Sequence, residues 1–151
     1  MASEPVLSAA ERAFLAAARR AVMVTIAPDG RPRPVPVCFV LDEIDAVLYT
    51  PIDDKPKRND GPRSLARVRD IERDPRVSVL VDRWDEDWAN LAWVRCLGTA
   101  TIEPSGADFP EIIRALRAKY SQYADHGLEA RPLIRIAIER VTAWGLTDAN
   151  A

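Results

Sequence analysis

The sequence predicts an α+β fold, a mostly antiparallel six-stranded sheet or barrel packed with three short helices, and three observations predict it. Short β-branched runs with apolar residues at alternate positions recur along the chain. Turn signals of hairpin length join them, and three other segments carry helical spacing instead. Residues 1–151 read as one domain, because no repeat, low-complexity tract or shift of composition marks a linker. An apolar fraction of 48% suffices for a core without disulfide or metal staples.

Ser8-Ala-Ala-Glu11 is a capping box, and an Ala-rich helix over Arg12–Arg20 follows it. Ala21–Ala27 is a β-branched first strand, and Pro28-Asp29-Gly30-Arg31 turns it into a second strand, Pro34–Leu41. Prolines at 32, 34 and 36 put their missing N–H groups on one side of that strand, as at a sheet edge or a groove. After a turn at residues 42–45 a third strand spans Ala46–Thr50. Gly61-Pro62 reads as the entrance to a second helix starting near Arg63, with Leu65, Val68 and Ile71 toward the core and Asp74-Pro75 as its end. Val77, Val79 and Val81 alternate with Ser78, Leu80 and Asp82 in a fourth strand. Beyond the polar loop Arg83–Asn90, a fifth strand over Leu91–Ile102 puts Leu91, Trp93, Arg95, Leu97 and Thr99 on one face and small residues on the other. Asp108–Tyr123 carries helical spacing through Ile112, Ile113, Leu116 and Tyr120, and a sixth strand spans Leu133–Leu146.

Charge and composition narrow the function. Lys+Arg (21) nearly balance Asp+Glu (23), so no global field suits nucleic acid or an anionic membrane. No run reaches the ~18 apolar residues of a membrane span, and the N-terminal residues carry acids where a signal peptide carries cations, so a cytoplasmic location is expected. Cys38 and Cys96 sit apart in apolar runs and read as reduced core thiols. A lone histidine, His126, leaves little from which to build a zinc centre or a His-based triad, and it reads as a surface residue. Asp53-Asp54 and Asp85-Glu86-Asp87 lack calcium-loop spacing and read as solvated turns, so no metal is expected.

One stretch breaks the balance. Between Lys55 and Arg69 six cations (Lys55, Lys57, Arg58, Arg63, Arg67, Arg69) face the single anion Asp60, a local balance of +5. Arg63 and Arg67 are i,i+4 neighbours, and a helix start beside mobile cations is a ready phosphate site. A solvated charged loop is the competing reading of the same residues. Trp84, Trp88, Trp93 and Trp144 are four large anchors, either core or dimer interface, or platforms for a planar heterocycle.

The order of strand, DGRP turn, PVPVCFV strand, LYTP, basic loop, the run from Arg67 to Asp82 and the final VTAWGL resembles the pyridoxamine-phosphate-oxidase-like split-barrel superfamily. DDKPKR together with DEDWANLAWVRCLGTA is similar to its branch of coenzyme F420-dependent oxidoreductases, and the resemblance covers nearly the whole chain. It implies a homodimer of split barrels with a cofactor at the subunit interface. The cofactor phosphate would lie on Lys55, Lys57, Arg63, Ser64 and Arg67. Flavin-binding relatives place a lysine after the serine of this helix, where this chain has Ser64 followed by Arg67, which can bind phosphate bidentately. The ring would lie on Val35, Pro36, Val37 and Cys38 and on Tyr49, Thr50 and Pro51, closed by tryptophans such as Trp88 and Trp93 across the interface.

The activity implied is hydride transfer from reduced F420 to a small, apolar, electron-poor acceptor, with no catalytic side chain because the ring carries the chemistry. An FMN-dependent oxidoreductase of the same fold, or a non-catalytic carrier of a cofactor or haem, is the alternative. Neither nucleic acid nor membrane is expected as a partner.

Overall fold

The computed structural model describes residues 4–42, 44–52 and 65–146. These form helices α1 (Ala9–Ala17), α2 (Ala66–Arg73) and α3 (Pro110–Lys119), and strands β1 (Ala21–Ile26), β2 (Pro32–Val37), β3 (Val40–Leu41), β4 (Val47–Pro51), β5 (Arg76–Arg83), β6 (Ala92–Glu103) and β7 (Leu133–Trp144). The strands make one sheet in the order β2-β1-β5-β6-β7-β4-β3, antiparallel at each pairing.

Both edges of that sheet come from one stretch of chain, since β2 ends at Val37 and β3 begins at Val40. The sheet therefore curls until its edges are joined by two residues, Cys38 and Phe39, which is the split barrel the resemblance implies. This also corrects the strand count. The expected second strand, Pro34–Leu41, is broken in two at Cys38-Phe39, because the chain must leave one edge before it can pair along the other, and seven strands result. Pro32, Pro34 and Pro36 lie opposite Ile26, Val24 and Val22 on edge strand β2. A proline cannot donate to the ladder, so these positions spare the β1 pairing and leave the open edge without donors at every second residue.

The remaining elements follow local chemistry. Ser8 caps α1, its Oγ accepting from the Glu11 amide at 3.1 Å. The helix starts at Ala9, ahead of the expected Arg12, and Arg19 and Arg20 lie beyond its C-cap Ala18. Gly30 holds φ 84 in the β1–β2 turn, a conformation that favours glycine. Leu65 is the N-cap of α2, and the expected start near Arg63 lies outside the described residues. Pro110 opens α3 in its first turn, and past Lys119 the expected helix gives way to a 3-10 turn over Ser121–Asp125.

Two apolar clusters meet at β4, which is buried along its length. Leu48 joins Met23, Val79, Val94 and Ile136 inside the curl, while Val47 and Tyr49 join Ile113, Leu116 and Tyr123 beneath α3. Gly98 marks a register shift between β6 and β7, where a Cβ would sit 2.4 Å from the Ala137 carbonyl oxygen, so the strands approach there only because the residue is glycine.

Side chains at the C-terminal end of α3, from its last residue Lys119 and its C-cap Tyr120, close the seam between β2 and β3. The Phe39 amide donates to Tyr120 Oη at 3.1 Å, and Lys119 Nζ donates to the Phe39 carbonyl at 3.0 Å. Tyr120 Oη lies 2.9 Å from the Arg19 carbonyl as well. The Lys119 ammonium stands 4.1 Å above the Phe39 ring. Burial, with the Arg19 charge nearby, pushes the Lys119 amine down to about 8.

Tyr120→Phe leaves the Phe39 amide without this partner and is expected to cost about 1–3 kcal/mol in urea denaturation, with an unchanged m-value. Lys119 should also give stability a pH dependence of definite sign. Its folded pKa of about 8 lies below the ordinary 10.5, so the unfolded chain binds more protons between those values and stability rises with pH across that window. The difference in unfolding free energy between the wild type and Lys119→Met, followed from pH 7 to 10, should change in that direction; a pH-independent difference would show that the amine is not perturbed.

Candidate functional site

Helix α2 is fixed by a buried carboxylate. Asp70 is 1% exposed and its Oδ2 accepts from Thr25 Oγ1 at 2.8 Å and from Arg33 Nε at 2.8 Å. Its Oδ1 accepts from the Arg73 guanidinium at 3.4 Å, and the same guanidinium donates to the Ile26 carbonyl. One acid thereby ties α2 to both strands of the β1–β2 hairpin, and Val68 and Ile71 seal the helix onto the barrel core. The start of α2 has a different character. Leu65 makes no side-chain cap, the first turn holds no acid, Arg67 is half-buried there and Arg69 is exposed. Positive charge at a helix N-terminus works against the helix dipole, so an anion placed there stabilises both. Lys55, Lys57, Arg63 and Ser64 lie outside the described residues.

The second feature is the outward face of β1, β5, β6 and β7. Alternation that sends Val77, Val79, Val81, Val94 and Cys96 inward sends Val22, Leu80 and Leu97 outward, and Leu80 (41%) and Leu97 (38%) are exposed. Cross-strand register places Asp82 opposite Trp93 and Trp93 opposite Trp144, at one end of this face. Together with Trp84 and Leu91 these residues line a groove of about 370 Å³. None of the four tryptophans belongs to the buried core: Trp84 and Trp144 are 65% and 54% exposed, Trp88 is exposed, and Trp93 is half-buried.

The loop that carries Trp84 and Trp88 is held by its own polar groups. Asp85 Oδ1 accepts from the Asp87 amide at 2.7 Å, Asp87 Oδ1 from the Ala89 amide at 3.1 Å, and Arg83 Nε donates to the Asn90 carbonyl at 2.8 Å. The acidic triplet is a turn, as expected, and its carboxylates, accepting from backbone amides, fix the loop whose two indoles are exposed.

The residues expected to carry a ring do not share one surface within this chain. Val35 and Val37 are half-buried and pack on the barrel core, while Pro36 is exposed on the opposite face of β2. Cys38 packs beneath α3, as does Tyr49, whose ring lies 5.6 Å from that of Phe109. Thr50 and Pro51 are buried. Trp93 lines the groove and Trp88 does not. Sequence reasoning missed Asp82 and Leu91 as lining residues and named Trp84 and Trp144 only among four possible ring platforms; alternation along β5 turns Asp82 outward, but only the cross-strand register sets it in one row with Trp93 and Trp144. His126 is half-buried, edge-on to the Tyr123 ring at 5.4 Å.

Basic helix and aromatic groove stand at opposite ends of the sheet. The α2–β5 junction, where the Ala100 amide bonds to the Pro75 carbonyl, is six residues along β5 from Asp82, a strand length of about 20 Å.

A family model described as pyridoxamine 5'-phosphate oxidase matches residues 7–145. No curated protein matches the sequence. Among solved structures, a conserved hypothetical protein, Rv2991 from Mycobacterium tuberculosis, superposes with a TM-score of 0.72 at 23% identity, covering 95% of this chain and 88% of the other. A protein described as an F420 reductase gives 0.63 at 18%, covering 87% and 94%. HutZ, described as the haem storage protein of Vibrio cholerae, gives 0.66 at 15%, covering 89% and 91%. At these identities the likeness concerns the fold.

Asp70→Asn keeps a hydrogen-bonding group beside Thr25 but removes the charge that holds Arg33 and Arg73. It is expected to lower stability by about 1.5–3 kcal/mol in denaturant titration, and amide exchange in α2 should quicken relative to that in β6; uniform protection in the variant would show that the clamp does not anchor the helix.

Proposed function

Because the chain belongs to the pyridoxamine 5'-phosphate oxidase family, we propose that it is an oxidoreductase that binds a phosphorylated deazaflavin, coenzyme F420, across a homodimer interface and serves hydride transfer to a small, flat, electron-poor acceptor. The observation that carries this reading is the separation of the two half-sites. The α2–β5 junction, at the C-terminal end of the basic helix, and an indole-lined groove lie at opposite ends of one sheet, about 20 Å apart along β5, farther than one phosphate-bearing ring spans. A two-fold axis through the exposed outward face, near Leu80 and Leu97, turns each end of one copy toward the other end of its mate. Both half-sites are then completed at once, and the apolar face is covered.

The residues present fit such a cofactor. Planar indoles in a groove of this volume suit a fused-ring system, and the α2 start with Arg67 suits its phosphate, with Lys55, Lys57, Arg63 and Ser64 of the preceding sequence as further candidates. When bound, the deazaflavin supplies the two-electron chemistry of hydride transfer. What this chain's residues supply is binding, orientation and exclusion of water. Arg67 and its neighbours fix the phosphate, Trp93 and Trp144 offer ring faces, and Leu80 and Leu97 keep the interface dry.

FMN, with its own phosphate and fused rings, would satisfy the same half-sites. Haem is favoured less. Its usual imidazole ligand could come only from the chain's single histidine, His126, which packs against Tyr123 in the turn after α3.

Titration of the protein with F420 and with FMN, read by calorimetry, is expected to give the tighter complex with F420, at one site per chain. Leu80→Glu places a charge in the middle of the face and should abolish dimerisation in analytical ultracentrifugation and cofactor binding in the same sample. A monomeric variant retaining full cofactor affinity would overturn the shared site.

A further inference from the structure

We propose that the groove holding Trp84, Trp93 and Trp144, where the cofactor ring would also lie, admits the acceptor beside that ring and is selective for flat organic cations, iminium or N-alkylpyridinium compounds, and that Asp82 sets the preference for charge. For the acceptor's role, though not for its binding, this rests on the function proposed above.

Asp82, Trp93 and Trp144 occupy one cross-strand row on the outward face, so Trp93 has the Asp82 carboxylate as its neighbour on one side and the Trp144 indole on the other, each adjacent pair with side-chain origins about 5 Å apart. Trp84, two residues on from Asp82, brings a third indole to the same groove. Asp82 is exposed, and among the described residues no salt bridge engages it. Neighbouring cations are committed elsewhere. Arg83 donates to the Asn90 carbonyl and lies over the Phe14 ring at 5.6 Å, and Arg95 lies over the Trp93 ring at 5.5 Å. The Arg95 contact shows that this indole accepts a cation on one of its faces. Counting Asp82, Asp85, Glu86 and Asp87 against Arg83 and Arg95, four acids meet two bases, a local balance of −2.

Those facts discriminate among ligands. A flat neutral molecule gains stacking on the indoles and nothing from the charges. A flat anion of the same size gains the stacking but meets excess negative charge. Only a flat cation gains both the ring quadrupoles and the carboxylate. The chemistry is compatible with the cofactor: an iminium or pyridinium carbon takes up a hydride while the C=N electron pair moves onto nitrogen and cancels its charge, the reduced deazaflavin being oxidised by two electrons and releasing one proton to water. Positive charge is consumed in that step, so Asp82 acts on affinity for the acceptor, and its removal is read in binding.

The test is calorimetric titration of the full chain with N-methylquinolinium, quinoline and 1-naphthoate. The cation is expected to bind at least about tenfold more tightly than the naphthoate, and Asp82→Asn should weaken the cation about three- to tenfold while leaving quinoline unchanged. An unchanged cation affinity in Asp82→Asn, or naphthoate binding as tightly as the cation, overturns the proposal. F420 titration of the same sample separates the two ideas. Charge selectivity without F420 binding supports the groove assignment and removes the cofactor reading, whereas F420 binding without charge selectivity does the reverse.

Discussion

The peptide group of Phe39 is where this barrel closes. A curled sheet whose two edges belong to one short stretch of chain must leave ladder pairing somewhere between them, and here it does so at Cys38 and Phe39. A backbone amide and carbonyl without partners in a half-buried seam would cost more than their hydrogen bonds return, so the closure depends on groups from elsewhere. Tyr120 and Lys119, 81 and 80 residues away in sequence, supply them from α3. Third-layer packing is thus tied to barrel topology: Ile113 and Leu116 seat α3 on β4, and the same helix end delivers the two polar side chains that let β2 become β3. The half-buried Lys119 is the cost of the arrangement, a cation kept partly from water for the sake of one carbonyl.

Closing the sheet separates an inside from an outside, and the outside is where the chain spends residues that a solvated surface does not need. Leu80, Leu97, Trp84 and Trp144 are exposed there, while Met23, Leu48, Val79 and Ile134 are among the side chains that fill the interior. At one end of the sheet Asp70 draws α2 onto the hairpin; at the other, register lines Asp82 up with two indoles. In the function proposed above, each end alone is half of a recognition surface.

Much of this was legible in the sequence because it depends on neighbours. The capping box at Ser8, the Pro28–Arg31 turn, the inward valines of β5 and the two faces of β6 are local periodicities, and the structure reproduces them. What escaped was non-local. The run from Pro32 to Leu41 shows no turn residue at Cys38-Phe39, because the break is imposed by sheet closure and stabilised by α3. Asp82 was readable as the outward residue of a strand, but its place beside Trp93 and Trp144 comes from pairings between strands over 60 residues of chain. Trp88 and Trp93 looked equivalent in sequence; a 3-10 turn sends Trp88 away from the groove that Trp93 lines.

The basic stretch is best understood through the acid that interrupts it. A carboxylate in the middle of a cationic helix looks like internal neutralisation, yet Asp70 is buried and its oxygens serve Thr25, Arg33 and Arg73, two hairpin residues and the last residue of α2. The clamp therefore acts at the C-terminal half of the helix, where Arg73 also favours the dipole. At the N-terminal half there is no acid in the first turn and no side-chain cap. The helix is built with one end satisfied by the protein and the other suited to an external anion, and fixing the first end to the hairpin is what gives the second a defined position relative to the sheet.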